Sequence, residues 1–216
     1  MFNTWEEVND PNRPVYNWQS NKIQPGDIRY KDVNGDGIID NDDSVPIGYS
    51  NFPEKIFGFS FGGAYKGFDF SVLFQGAANV SVQYSRRYIM GFAEGANAPD
   101  YLIESWSQQR YEKGLPINYP HFSAGDNSSN YQNSTFWTRD ASYLRLKNAE
   151  IGYTLPDKVL RKIGISYARI YLNGSNLTTW DDMLPGADPE STATGEINVE
   201  PYPVTRTFNM GVNVKF

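Results

Sequence analysis

Between residues 55 and 65 the chain alternates. Phe57, Phe59, Phe61 and Tyr65 are interleaved with Gly58, Ser60, Gly62 and Ala64. Successive residues of a strand point to opposite faces, so this segment carries one aromatic face and one face of small groups. Lys66-Gly67 reads as a tight turn. Beyond it Phe68, Phe70, Val72 and Phe74 alternate with Asp69, Ser71, Leu73 and Gln75. The pattern predicts a hairpin over 55–65 and 68–82. Further strands are predicted over 141–154, 166–177 and 205–216. In 141–154 the alternation changes phase: Leu144 and Leu146 share one face, Ala149, Ile151 and Tyr153 the other. A bulge near Asn148 reconciles them. In 166–177, Ala168, Ile170 and Leu172 oppose Tyr167, Arg169, Tyr171 and Asn173. At the end of the chain Phe208, Met210, Val212, Val214 and Phe216 alternate with Asn209, Gly211, Asn213 and Lys215.

The rest is less regular. Residues 1–30 read as loop with one short strand. Residues 84–140 lack sustained alternation, with a helix predicted over 100–113 from Tyr101, Ile103, Trp106 and Tyr111 on one side. Asp157 to Ile163 reads as one or two helical turns with Asp157 as N-cap, and 178–204 reads as loop. The connections between strands are therefore short, very long, short and long. Antiparallel neighbours place alternate connections at opposite ends, so the long ones share one end. Outer-membrane barrels have this asymmetry, with short periplasmic turns and long extracellular loops, and a wet face turned to the lumen. The expected fold class is all-β, an antiparallel transmembrane β-barrel segment. Five strands fall short of the minimum of about eight, and lipid does not tolerate open edges, so these are expected to be the last strands of a larger barrel. The expected organisation is an extracellular loop region over 1–54, then barrel strands within 55–216 with outer loops 84–140 and 178–204. The alternative is a soluble sandwich whose core is the aromatic face.

Composition narrows this further. A mean hydropathy of -0.56 with 39% hydrophobic residues, and no long apolar run, excludes a helical membrane protein. A barrel escapes that test because every second strand residue can be polar. There is no cysteine, hence no disulfide framework and no thiolate metal site. The net charge of -6 with no basic patch argues against a nucleic-acid partner. Met1 to Trp5 shows neither a basic nor an apolar leader region, so no signal peptide is read there, and the barrel reading expects additional chain upstream.

Several stretches, in order, carry a family resemblance: Pro25-Gly26-Asp27-Ile28-Arg29-Tyr30-Lys31-Asp32 running into Asn34-Gly35-Asp36-Gly37; Tyr65-Lys66-Gly67-Phe68-Asp69-Phe70 with Phe74-Gln75-Gly76; Ser142 to Asn148; Ile151 to Pro156; Ile170 to Leu177; Asp188-Pro189-Glu190; and Tyr202-Pro203. With these, the chain resembles the C-terminal part of the SusC/RagA class of TonB-dependent outer-membrane transporters of Bacteroidetes. The resemblance implies a barrel of about 22 strands with an N-terminal plug, location in the bacterial outer membrane, and a SusD-like surface lipoprotein as lid. It also implies energy from TonB through a part not matched here, and import of oligosaccharides or peptides. It implies no enzyme activity.

The sharpest chemical motif is Asp32 to Asp43. Asp32, Asn34, Asp36, Ile38 through its carbonyl, Asp40 and Asp43 stand at positions 1, 3, 5, 7, 9 and 12 of an EF-hand-like loop, with Gly37 at the sharp-turn position. A hard Ca²⁺ ion wants such oxygens. The expectation is a structural Ca²⁺ site of weak affinity, ~10⁻⁴–10⁻³ M, against an acidic turn without metal. Asp43 replaces the usual Glu and reaches less far. His121, the only histidine, has no partner pattern for catalysis. Asp181 and Asp182 read as loop carboxylates. Asn130-Tyr131, Phe136-Trp137, Trp106 and Trp180 read either as ligand-stacking groups or as loop packing. The runner-up function is a soluble, calcium-stabilised β-sandwich that binds carbohydrate.

Overall fold

The computed structural model describes residues 1–17, 22–84, 86–92, 97–123, 128–194, 196–197 and 204–216. The chain forms two compact units: one of residues 1–48, 83–138 and 196–200, the other of residues 49–82, 139–195 and 201–216.

The second unit is built on five strands: β1 (Lys55–Tyr65), β2 (Phe68–Ala78), β3 (Tyr143–Thr154), β4 (Tyr167–Asp181) and β5 (Thr207–Lys215). They lie in one sheet in chain order, every neighbour antiparallel. The β1–β2 turn has Lys66 at φ 49 and Gly67 at φ 87. Two positive φ values make a type I′ turn, whose twist matches the flanking strands. The β3–β4 connection holds helix Asp157–Leu160 and a 3-10 turn, Arg161–Ile163, ended by Gly164 at φ 71. Asp157 was expected to cap this helix. The cap position belongs to Pro156 instead, with no side-chain hydrogen bond, and Asp157 is the first helical residue.

Two strand ends differ from expectation for local reasons. β2 stops at Ala78 rather than 82, because Asn79 adopts φ 58 and breaks the extended run before a strand resumes at Ser81–Tyr84. β4 runs past Leu177 to Asp181. The strand end expected at Leu177 is an irregularity inside a longer strand: Leu146 pairs with Thr178 but Asn148 pairs with Ser175, and Asn176 sits at φ 52. Across β2 the register skips Lys147 as well, Phe74 facing Leu146 and Leu73 facing Asn148. The extra residue is Lys147, one position from the bulge expected at Asn148, and it explains the change of phase in β3.

The pairing aligns the faces. Phe61 lies opposite Val72, Val72 opposite Ala149, and Ala149 opposite Gly174, which faces Phe208. One face is thus apolar across all five strands, and it is uncovered: Phe61 is 55% exposed, Ile151 53%, Leu172 53% and Met210 76%. Phe74 stacks between Phe59 at 5.0 Å and Phe61 at 6.2 Å, and its ring lies 6.5 Å from Trp180. An apolar face this continuous exceeds what water-soluble monomers leave bare.

The first unit buries its aromatics. Phe2, Val8, Tyr16, Ile23 and Ile39 form a core cluster with Tyr30 packed against it. Val15–Tyr16 pairs in parallel with Ile38–Ile39. A helical turn, Trp5–Val8, stands where loop was expected. Its signal was in the sequence: Thr4 and Glu7 have capping-box spacing, and Thr4 Oγ1 accepts from the Glu7 N–H. The helix expected over 100–113 is two pieces, a 3-10 turn Asp100–Glu104 and helix Gln108–Glu112. Ser107 caps the second and forces an extended residue between them, and the Trp106 N–H donates to the Tyr119 carbonyl at 2.8 Å.

Candidate functional site

The face of the sheet opposite the aromatics carries the charge. Arg169 on β4 donates from Nε to Asp69 Oδ2 at 3.0 Å, pairs through Nη2 with Asp69 Oδ1, and donates to Glu150 Oε1 at 2.7 Å. One guanidinium thereby ties β2, β3 and β4. Gly152 makes the room, since a Cβ there would strike the guanidinium. Gly211 does the same for the Tyr171 ring. Asn173 continues the row, donating to Glu150 Oε2 at 3.4 Å and accepting from Asn209 at 3.0 Å. This is a polar, hydrogen-bonded face, as the alternation required.

Farther along the same face Arg145 is 3% exposed. It donates from Nε to Thr179 Oγ1 at 2.8 Å and pairs through Nη2 with Asp188 Oδ1 at 2.9 Å. Its Nη1 stands 3.0 Å from Glu190 Oε2, an ion pair whose atoms are not aligned for a hydrogen bond. Lys147 Nζ reaches the same Glu190 at 2.8 and 2.9 Å. The bulge sets Lys147 beside Arg145 for this task. Together they fasten Asp188-Pro189-Glu190 to the polar face. The sequence showed the tripeptide but not its partners, because a bulge moves a side chain between faces and alternation alone cannot locate it. Behind this strap lies a cavity of about 420 Å³, lined by Arg145, Asn176, Thr179, Asp181, Asp188 and Arg206 among others.

The 32–43 loop is closed by its own side chains. Asp32 accepts from the Gly35 N–H at 2.6 Å and the Gly37 N–H at 2.8 Å. Asn34 accepts from Asp36 N–H at 3.0 Å, and Asp36 from Ile38 N–H at 2.8 Å. Asp40 caps the 3-10 turn Asn41–Asp43, and Asp43 accepts from Val33 N–H at 2.6 Å and Asp40 N–H at 3.0 Å. Those N–H groups hold the Asp43 carboxyl below the usual carboxylate range. Gly35 at φ 80 and Gly37 at φ 82 need the left-handed region, as a sharp acidic turn does. Among the described residues no three His, Cys, Asp or Glu side chains stand together as a metal set.

The remaining candidates divide by burial. Trp137 is buried, and its Nε1 donates to the Asn130 carbonyl at 2.6 Å. Asn130 itself is fully buried: Oδ1 accepts from Ile28 N–H, and Nδ2 donates to Asp27, both at 2.8 Å. Trp106 is buried against Gly26. These pack the first unit and do not stack on a ligand. Tyr131 and Phe136 are half-buried against Trp137. Trp180 stays exposed on the apolar face. His121 Nδ1 lies 3.1 Å from Gln24 Nε2 and its backbone N–H donates to Gly26, which makes it a loop anchor. Asp181 Oδ1 accepts from the Met183 N–H at 3.0 Å. Tyr202-Pro203 lies outside the described residues.

No family model matches the chain. Curated relatives do. TonB-dependent receptor P26 of Formosa agariphila is 32% identical over 208 residues, covering 88% of this chain and 20% of that receptor. TonB-dependent receptor P3 of the same organism is 33% identical over 208 residues, covering 91% and 20%. Among solved structures, the RagAB peptide transporter superposes with a TM-score of 0.62 at 26% identity, covering 83% of this chain and 19% of that one. The RagAB peptide importer in its open-open state gives 0.61 at 26% identity. The chain thus spans 20% of the length of the curated relatives it matches. With the antiparallel sheet, its bare aromatic face and its charged opposite face, these similarities make the chain a homologue of the SusC/RagA-like TonB-dependent receptors.

Proposed function

We propose that this chain forms part of the wall of a TonB-dependent outer-membrane importer of oligosaccharides or peptides. It would work with a SusD-like lipoprotein lid and receive energy from TonB through another part of the protein. The reading is of a transporter, not an enzyme. The observation that carries it is the sheet with one uncovered aromatic face and one hydrogen-bonded polar face, a division suited to lipid on one side and a wet lumen on the other. A soluble sandwich would bury Phe59, Phe61 and Phe70, which are exposed here. Similarity to the RagAB peptide importer supports the transport reading. In this reading the loops 84–140 and 178–204 face the cell exterior.

An immunoblot of fractionated source cells tests this. An antibody against this chain should find a band well above 24.5 kDa in the outer-membrane fraction, with a lipoprotein co-purifying. A band in the soluble fraction would overturn the reading. For the 32–43 loop we propose a structural Ca²⁺ bound by Asp32, Asn34, Asp36, the Ile38 carbonyl, Asp40 and Asp43, supported by their EF-hand-like spacing. Saturable calorimetric binding lost in Asp36→Ala supports it; no heat at millimolar Ca²⁺ rejects it.

A further inference from the structure

The short-turn end of the sheet is rich in cations. In the β3–β4 connection Lys158, Arg161 and Lys162 are all exposed. They are three and four residues apart along consecutive helical turns, which puts them on one side. Asp157 is the only carboxylate within residues 155–166, so the connection is net cationic. Among the described residues no carboxylate reaches any of the three cations, whereas Arg145, Lys147 and Arg169 on the polar face are each ion-paired. Val159, beside them, is 50% exposed, while Leu160 is buried.

The connection folds over the apolar side of the sheet. Ala168, Ile170 and Leu172 share that side, opposite Val214, Val212 and Met210. Ile170 and Leu172 are bare there, but Ala168 is only 7% exposed. Helix Asp157–Leu160 packs against β4 with Leu160 buried, which accounts for the shelter of Ala168. Alongside, the Thr154 N–H donates to the Gly67 carbonyl at 2.8 Å and joins the β1–β2 turn to this end. There Lys66 Nζ lies 5.1 Å from the centre of the Tyr65 ring, and Phe68 packs on Tyr153 at 4.6 Å. Rings first and cations beyond them is the order met on passing from hydrocarbon to headgroups.

We infer that the β3–β4 connection binds an anionic phospholipid, with Lys158, Arg161 and Lys162 around the phosphate headgroup and Val159 against the acyl chains. The inference goes beyond the import reading and rests on its placing the apolar face in lipid. Each cation near an anionic membrane surface favours binding by about fivefold. A soluble anion needs no apolar neighbour. The exposed Val159 and the bare row of Ile170 and Leu172 next to it select a lipid.

The intact outer-membrane protein carrying this chain, in vesicles of equal phosphatidylglycerol and phosphatidylcholine, tests this. A bimane fluorophore on Val159→Cys is quenched by lipid bearing a nitroxide on its acyl chain, the labelled species being either the glycerol or the choline lipid. Phosphatidylglycerol should be preferred at this position by at least about tenfold. The preference should fall as salt rises from about 0.1 to about 1 M, because the screening length shrinks from about 10 to about 3 Å. Lys158→Gln/Arg161→Gln/Lys162→Gln should abolish the preference while quenching continues, and Lys158→Arg/Lys162→Arg should keep it. A bimane on Phe61→Cys, in mid-strand on the bare face, should be quenched by both lipids alike. Equal quenching by the two lipids at 159, or a preference that the triple glutamine variant retains, overturns the inference. Quenching at 61 with none at 159 also overturns it and leaves the import reading standing, whereas no quenching at 61 overturns both.

Discussion

The two units use the same residue types in opposite ways. In the first, Phe2, Tyr16 and Trp137 are buried at 1%, 3% and 1% exposure and hold a loop-rich unit together. In the second, phenylalanines and aliphatics of equal size stand outward along five strands, while Arg145, Asp188 and Thr179 take the sheltered positions. In water the second arrangement is inside out. Burial in the first unit drives folding by removing apolar surface from water; the exposed face of the second would gain the same only from hydrocarbon. The difference teaches that aromatic content alone does not locate a core. What locates it is whether the polar partners of the backbone and charges lie on the same side.

Substitutions should break this contrast in a definite order. Trp137→Ala removes a buried ring and its bond to Asn130, and should cost about 3–5 kcal/mol, seen as a lowered denaturant midpoint in the first unit. Phe61→Lys, outward near the middle of β1, should cost about 2–4 kcal/mol in lipid, whereas Ser60→Lys, one residue back and facing the polar side, should stay within about 0.5 kcal/mol. Folding titrations in vesicles measure both. Equal effects would mean the faces are misassigned.

Two pH effects are smaller and belong to the first unit. Burial holds the Tyr30 and Tyr101 phenols protonated far above their ordinary value. The unfolded chain ionises them from about pH 10. The folded state binds more protons there, so stability should fall as pH rises above about 10, read as loss of near-ultraviolet dichroism. At the other extreme, Asp43 is held ionised by backbone N–H groups. Its contribution is present above the unfolded carboxyl value and is lost as pH falls through its lower folded one. Amides of Val33 and Asp40 should then exchange faster, with little change elsewhere.

Much of the five-stranded sheet was legible in the chain. A period of two marked the strands, Lys66-Gly67 marked the turn, and the phase change between Leu146 and Ala149 marked a bulge. What escaped was whatever a local pattern does not encode. The end of β2 depended on one left-handed Asn79, and the continuation of β4 on an irregularity at Asn176 that its partner strand absorbs. The ties from Arg145 and Lys147 to Asp188 and Glu190 cross some forty residues of sequence. The Asp27–Asn130 contact spans more than a hundred. Among the candidate ligand stackers, Trp106 and Trp137 looked no different in sequence from the exposed Trp180; only packing separated them.

The central claim is that the aromatic face of the sheet meets lipid and the charged face meets water. Because the chain has no cysteine, single cysteines introduced at 59, 60, 61, 70, 71 and 72 can each carry a spin label in the vesicle-reconstituted protein. Collision with oxygen should dominate at 59, 61, 70 and 72, and collision with a water-soluble nickel chelate at 60 and 71. A flat profile, or the reverse alternation, would contradict the account.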